Sequence, residues 1–254
     1  MLASLKIYFR KKEGKVYRKS YAQLLQGVLM QYLDENYVKI LHSDGYHPYS
    51  QSMYMQEEFM IWKINTLNME ALHNIIHPMM KISGIYIEKD QEYYDIIKKE
   101  YEEISYEELA NQYLFSEESR YITVLFDSPT AFKQDGEYNN IPDVGLLFQS
   151  LMLKYDAVSQ KSCMYDRELK DEFSKYVRIC KYHLRSTSFL LRNINIPSFV
   201  GQITLKINGP KQMVNLAKML FVFGTYSGIG IKTGMGMGSY RILEKENTNE
   251  PKKE

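Results

Sequence analysis

Histidine is the side chain that trades a proton near neutral pH, and the sequence contains five of them. Two stand close together: His42 in Ile40-Leu-His42-Ser-Asp-Gly45 and His47 in Tyr46-His47-Pro48-Tyr49. A loop of that length can fold back on itself, so the pair could divide acid and base duties between them. His42 taken alone is an ordinary histidine at the end of a strand, and Pro48 with its flanking tyrosines gives His47 a competing role in stiffening and stacking. His73 and His77 have the spacing of a zinc pair on a helix. The Glu that would activate water is missing beside the first of them and no third ligand follows, so no metal site is expected. His183 lies in KYVRICKYHLR, where Lys175, Arg178, Lys181, Tyr182 and Arg185 interleave cations with an aromatic ring. Such a strand can track phosphates and stack a base, or it can simply be a solvated sheet face.

The densest signal lies near the other end, in Gly228-Ile-Gly230-Ile-Lys232-Thr-Gly234-Met-Gly236-Met-Gly238, five glycines in eleven residues. Glycine admits positive φ and clears side chains from a turn, so backbone N–H groups can approach a phosphate or a base. The alternative is a tight packing turn between a helix and a strand. A P-loop is excluded because Ile231 stands where that motif needs Gly before the Lys, and because the expected helix precedes the loop. A dinucleotide fingerprint fails on the same order of elements. A metabolic nucleotide-binding α/β protein is therefore disfavoured.

The net charge of +1 hides an uneven distribution. Glu88 to Glu118 holds eleven acids and three bases, whereas Lys161 to Lys218 holds eleven Lys or Arg against four acids. Local fields decide binding to a polyanion, so the charge permits a nucleic-acid partner without demanding one. No apolar run reaches the length of a membrane span, and the first residues read as a strand, not a signal peptide. Cys163 and Cys180 are expected to be idle thiols, and the cytoplasm is the expected compartment.

Several elements must position these groups. Leu5 to Arg10 reads as a strand; Tyr17 to Leu33 reads as a helix with Leu24, Leu25, Val28, Leu29 and Tyr32 on one face and Ser20 as a cap. A short strand is expected at Val38 to Leu41, a strand pair at Ser52 to Leu67, a helix capped by Asn68 at Met69 to Met80, and a strand at Gly84 to Glu88. That order, β-α-β-β-α-β, describes a ferredoxin-like unit. After an acidic stretch with a helix at Tyr106 to Leu114 the order repeats: a strand at Arg120 to Asp127, a helix at Asp143 to Tyr155, strands at Val177 to Leu191 and Phe199 to Ile207, a helix at Lys211 to Phe223 behind Pro210, and a strand at Ser239 to Leu243. The expected class is α+β with two tandem ferredoxin-like domains, residues 1–117 and 118–244, followed by a polar tail at 245–254.

The spacing Gly-x-Gly, five residues, Gly-x-Gly, matched by Gly228, Gly230, Gly236 and Gly238, resembles the signature of the CRISPR repeat-cleaving endoribonucleases (Cas family six, in the RAMP superfamily). MLFVFGTYSGIG ahead of the loop, Ser128-Pro-Thr-Ala-Phe-Lys133, Pro142-Asp143 leading into LLFQSLMLKYD, and Ile64-Asn-Thr-Leu67 extend the resemblance over nearly the whole chain. It is strongest to members that accompany type III interference systems. The resemblance implies the tandem ferredoxin-like fold and a metal-independent, cofactor-free endoribonuclease acting on CRISPR precursor RNA. In that chemistry a 2′-hydroxyl attacks the adjacent phosphorus, leaving a 5′-hydroxyl and a 2′,3′-cyclic phosphate. A Leu-His-x-x-Gly segment supplies the general acid or base in the family, and His42 matches it, with His47 second. A Tyr from the first helix would correspond to Tyr32. The Lys that often follows the His is missing here, since none occurs before Lys63, and Lys39 is the substitute for stabilising phosphorane charge. RNA would be held by Gly228, Gly230, Lys232, Gly234, Gly236 and Gly238, and by Arg178, Lys181 and Arg185. The partners implied are the precursor repeat and a type III interference complex; a homodimer is compatible, as is the alternative of a non-catalytic RNA-binding RAMP subunit.

Overall fold

The computed structural model describes residues 1–17, 21–42, 45, 47–159, 163–191 and 193–243. Ser20, Ser43, Asp44, Tyr46 and the tail lie outside them. The first half runs β1 (Leu2–Arg10), α1 (Tyr21–Gln31), α2 (Glu35–Leu41), β2 (Tyr49–Gln56), β3 (Phe59–Thr66), α3 (Met69–Ala71), a π turn (Leu72–Ile76), α4 (His77–Lys81), β4 (Gly84–Ile87) and β5 (Glu92–Ile104). Its five strands form one sheet in the order β2-β3-β1-β5-β4. Strand alternation separates the two faces of β1. Ala3, Leu5, Ile7 and Phe9 join Leu25, Leu29, Trp62 and Ile75 in the first core, while Leu2 turns the other way and joins the second.

Two expectations fail here. Val38 to Leu41 is helical, not a strand: Asp34 Oδ1 accepts from the amides of Asn36 (2.9 Å) and Tyr37 (3.2 Å), which caps a helix start. Tyr37 and Leu41, four residues apart, are then buried along one face of α2. The acidic stretch before Tyr106 contains a strand that was not expected, β5, antiparallel to β1 from Leu2↔Ile104 onward. It takes the place beside β1 that the closing strand of a ferredoxin-like unit would occupy, and β4 pairs outside it. Two of its acids, Glu92 and Glu100, are ion-paired, and Glu100 accepts from Lys98 Nζ (2.6 Å) and Tyr8 OH (2.8 Å). Those bonds hold its carboxyl down at about 2.

The second half runs α5 (Tyr106–Leu114), β6 (Tyr121–Thr130), the hairpin β7 (Phe132–Gln134) and β8 (Glu137–Asn139), α6 (Val144–Ser159), α7 (Arg167–Tyr176), β9 (Val177–Leu191), β10 (Ile194–Ile207), α8 (Lys211–Ser227) and β11 (Tyr240–Leu243). Its sheet has the order β11-β6-β10-β9, a four-stranded ferredoxin-like sheet, so the two halves are tandem ferredoxin-like units. Phe148 of α6 stacks on Phe173 of the unexpected α7 at 3.8 Å and meets Phe221 of α8 edge-on. Cys163 and Cys180 are free and exposed. Among the described residues no helix is long and apolar enough to cross a membrane.

The halves are joined by polar groups. The last carbonyls of α8 point at the first sheet, where Ser50 Oγ donates to Tyr226 O (2.5 Å) and Lys63 Nζ donates to Thr225 O (3.1 Å). Burial pulls the Lys63 ammonium down to about 8. Gln51 is 1% exposed; its Nε2 donates to Ala22 O (2.8 Å) and Gly234 O (3.1 Å), and its Oε1 accepts from Trp62 Nε1 (2.6 Å). Three groups from α1, β3 and the glycine-rich loop thus depend on one amide. Gln51→Leu leaves all three without their partner and is expected to destabilise the fold by about 2 kcal/mol or more in urea unfolding; a loss under about 0.5 kcal/mol would show that the junction does not rely on it.

Candidate active site and RNA-binding face

The glycine-rich loop leaves α8 at Gly228 and returns to β11 after Gly238. Most of its amides are spent within the protein: Ile229 N on Gly238 O (2.9 Å), Gly230 N on Ser150 Oγ (2.8 Å), Ile231 N on Ala131 O (3.0 Å), Gly238 N on Pro129 O (3.0 Å). Among the described residues the amides of Lys232, Thr233 and Gly234, which open the 3-10 turn Thr233–Met235, take no part in these bonds. Gly234 is buried, so the expectation that the whole glycine run bares its backbone to a ligand narrows to the amides of Lys232 and Thr233.

The glycines mainly permit close approach. Gly230 has φ +75 and a Cβ there would lie 2.2 Å from Ala131 O; Gly236 has φ +99 and a Cβ there would lie 2.3 Å from Ala22 Cβ on α1. The Tyr49 ring packs against Gly234, and a small apolar cluster of Ala131, Phe189, Ile196 and Met237 closes the loop's underside. Loop and first half meet directly at α1 and the start of β2.

The histidines reach the same place from the other side. His42 is the C-terminal cap of α2, not the end of a strand, and its Nδ1 lies 2.7 Å from Val38 O. A carbonyl can only accept, so Nδ1 carries the hydrogen and Nε2 is left to act. His47 sits two residues ahead of the buried Tyr49, with ring centroids 6.1 Å apart. The residues packed around His47 withdraw part of its ring from water, and Lys232 and His42 stand close enough to add their charge; together they push the imidazole below its ordinary value. Two histidines from the first half and a lysine from the second thus share one exposed corner.

The remaining catalytic candidates divide. Lys39 lies on α2, one helical turn before His42, and is exposed; i, i+3 neighbours share a helix face. Tyr32 lies one residue beyond α1, and its hydroxyl donates to Gly84 O at 3.3 Å. Ten residues of helical rise put it about 15 Å from Ala22, at the far end of α1 from the loop. His73 and His77 meet edge-on at 4.8 Å, and no group of three or more metal-ligating side chains occurs among the described residues.

Register settles how the basic strand is oriented. On β10, Ile203, Leu205 and Ile207 face the helices, so Gln202, Thr204 and Lys206 face away. Their partners across β9 are His183, Lys181 and Arg178, and Arg185 pairs with Val200. The three predicted cations Arg178, Lys181 and Arg185 therefore share the sheet face that the helices leave uncovered. Arg178 also folds back onto Ser174 O (2.6 Å). Reading the strands singly missed Lys206, over the Tyr121 ring at 5.9 Å, and Arg241, 3.4 Å from Asp127, on the same face. The alternation of β10 was the signal that could have found Lys206.

A family model described as CRISPR-associated endoribonuclease Cas6 matches residues 124–240. The CRISPR-associated endoribonuclease Cas6 of Streptococcus thermophilus is 30% identical over 221 residues, 87% of this chain and 90% of that protein. That of Mycobacterium tuberculosis (strain ATCC 25618 / H37Rv) is 34% identical over 221 residues, 86% of this chain and 70% of that protein. Among solved structures, the Cas6 (TTHB231) product complex superposes with a TM-score of 0.78 at 19% identity over 96% of this chain and 100% of that one. The Cas6 (TTHA0078) substrate mimic complex gives 0.73 at 16% identity over 95% and 99%. Fold and sequence together define a protein of the CRISPR-associated endoribonuclease class. The chain belongs to the CRISPR-associated endoribonuclease Cas6 family.

The seat of the loop can be tested by itself. Gly236→Ala is expected to cost about 1–3 kcal/mol of stability through strained φ and the clash with Ala22. Combining it with Ala22→Gly should cost less than the sum of the two single changes in a double-mutant cycle; simple additivity would mean that the two backbones do not touch.

Proposed function

We propose that the protein cuts the repeats of CRISPR precursor RNA into guide units, and that it needs no metal to do so. What carries this reading is the corner where Lys232 of the glycine-rich loop stands by His47, with His42 within electrostatic reach. Relatives of the same fold have been captured as product and substrate-mimic complexes. RNA already holds its own nucleophile, so a protein has only to move two protons and steady a phosphate.

The scissile ribose–phosphate lies over the 3-10 turn. His47, biased toward its neutral form, takes the proton of the 2′-hydroxyl. The freed oxygen attacks the adjacent phosphorus, the P–O5′ bond breaks, and His42, entering the step as an imidazolium with both nitrogens protonated, hands its Nε2 proton to the departing 5′-oxygen. The ends are a 2′,3′-cyclic phosphate and a 5′-hydroxyl. Lys232 and the free amides of the turn stabilise the charge that builds on the phosphorane. Single-stranded repeat bases run along the open face of the second sheet, where Arg178, Lys181 and Arg185 hold phosphates and His183 offers a ring.

Incubation with repeat RNA in EDTA tests the reaction. Cleavage should persist in the chelator and vanish on RNA carrying a 2′-deoxy sugar at the cut, and His42→Ala should lose about 100-fold or more in rate while affinity is largely kept. Cutting of the deoxy substrate would rule out the nucleophile. Because burial, Lys232 and His42 lower His47 from its ordinary 6.5, the acid limb of the rate–pH profile should fall below that value. Lys232→Gln should move the limb upward; a limb that stays put would remove His47 as the base.

The sheet has its own test. Replacing Arg178, Lys181 and Arg185 together by Ala should flatten the slope of log K against log salt by about 2, at roughly 0.7 per phosphate contact on single strands. An unchanged slope would take β9 off the RNA path.

A further inference from the structure

A charged side chain that no step above uses lies beneath the glycine-rich loop. Lys154 belongs to α6, which otherwise turns Leu147, Phe148, Leu151 and Met152 into the second core. It is 6% exposed. Among the described residues it pairs with no carboxylate; its Nζ donates to Gly228 O at 3.1 Å, Ser227 O at 3.4 Å and Thr233 Oγ1 at 3.4 Å. An ammonium has three donors and finds three acceptors.

The placement of those acceptors is informative. Ser227 and Gly228 carry the last carbonyls of α8, where the helix dipole favours a cation. Thr233 lies across the first turn of the loop, next to Lys232, and a Cβ at Gly228 would lie 2.7 Å from its methyl. One side chain from a neighbouring helix therefore spans the neck of the loop, from the point where the chain leaves α8 to the residue after Lys232. Burial lowers the ammonium to about 7, so the site pays a desolvation cost that packing alone would avoid with an apolar residue of the same length.

We propose that Lys154 is a positioning residue: it clasps Gly228 to Thr233 and thereby fixes where Lys232 stands against His47. The inference rests on the reading of this corner as the RNA-cleaving site, but its first test needs no RNA. Amide hydrogen exchange of the full chain, followed by mass spectrometry, should show residues 229–238 exchanging about tenfold faster in Lys154→Met and in Thr233→Val, with peptides from β1 and β10 unchanged. Thr233→Ser keeps the hydroxyl and should keep the wild-type rate. Unaltered loop exchange in Lys154→Met, or acceleration spread equally over β1 and β10, would overturn the proposal, the second by showing a role in the fold as a whole.

Activity supplies the second readout. At saturating repeat RNA, Lys154→Met should cut about tenfold more slowly, and its acid limb should move upward as it does in Lys232→Gln, because a loosened Lys232 no longer bears on His47. A slower rate with the wild-type limb would count against a role through Lys232. If the wild-type chain itself fails to cut, the proposed reaction falls, and the exchange experiment still decides whether Lys154 holds the loop.

Discussion

The structure turns on one close approach, that of the backbone at Gly234 to Gly236 to the start of β2 and the first turn of α1. Bare backbone is what makes it possible, since a methyl at Gly236 would overlap Ala22. Once the two surfaces meet, other groups become fixed. Gln51 can satisfy Ala22 and Gly234 at once, and the Tyr49 ring is trapped against Gly234. His47, two residues before that ring, is carried to the loop by the strand that the loop has immobilised. The histidine and the lysine come from opposite ends of the chain, and neither could be placed by its own element.

Charge is organised around the same junction. Two acids of β5 are committed within the first half, Glu100 to Lys98, Lys6 and Tyr8, and Glu92 to Lys15 and Lys12. Arg178, Lys181 and Arg185 of β9 face Lys206, Thr204 and Val200 across the ladder, none of which carries a negative charge. A nearly neutral chain can in this way present a basic sheet face, because the acids of β5 lie on the other sheet. Exposed cations along an edge strand also discourage pairing with a foreign strand, which keeps β9 available for another ligand.

Much of this was legible in the sequence, for physical reasons. The tandem β-α-β-β-α-β order survives because most of its strands alternate and its helix starts are marked, by the Asn68 side-chain cap and by Pro210, whose fixed φ suits the start of a helix. The loop stood out because glycine density is a backbone property that does not depend on what lies nearby. Val38 to Leu41 misled because its run of apolar and β-branched residues suits a strand, whereas the capping Asp34 lies upstream and the Tyr37–Leu41 spacing shows only in a longer window. β5 escaped because its burial is patchy, with charged residues on both faces, so the period of two was hidden. The pairing of His47 with Lys232 is purely tertiary and left no local trace. Lys154 left a faint one, a single cation in an otherwise apolar run.

That lone cation points to a general feature of the junction. α8 ends against the first sheet with its carbonyls directed at the site, and a helix C-terminus carries partial negative charge. Left bare, that end would oppose a phosphate arriving at the adjacent loop. Lys63 from β3 and Lys154 from α6 both donate into this last turn, one from each half. Lys154 is buried and Lys63 partly so, and each is pulled below the ordinary lysine value, so neither is placed there for free. Their joint effect is to cover the negative end of the helix at the point where the loop departs. The loop can then present Lys232 and its few free amides toward an anion without a competing dipole behind them.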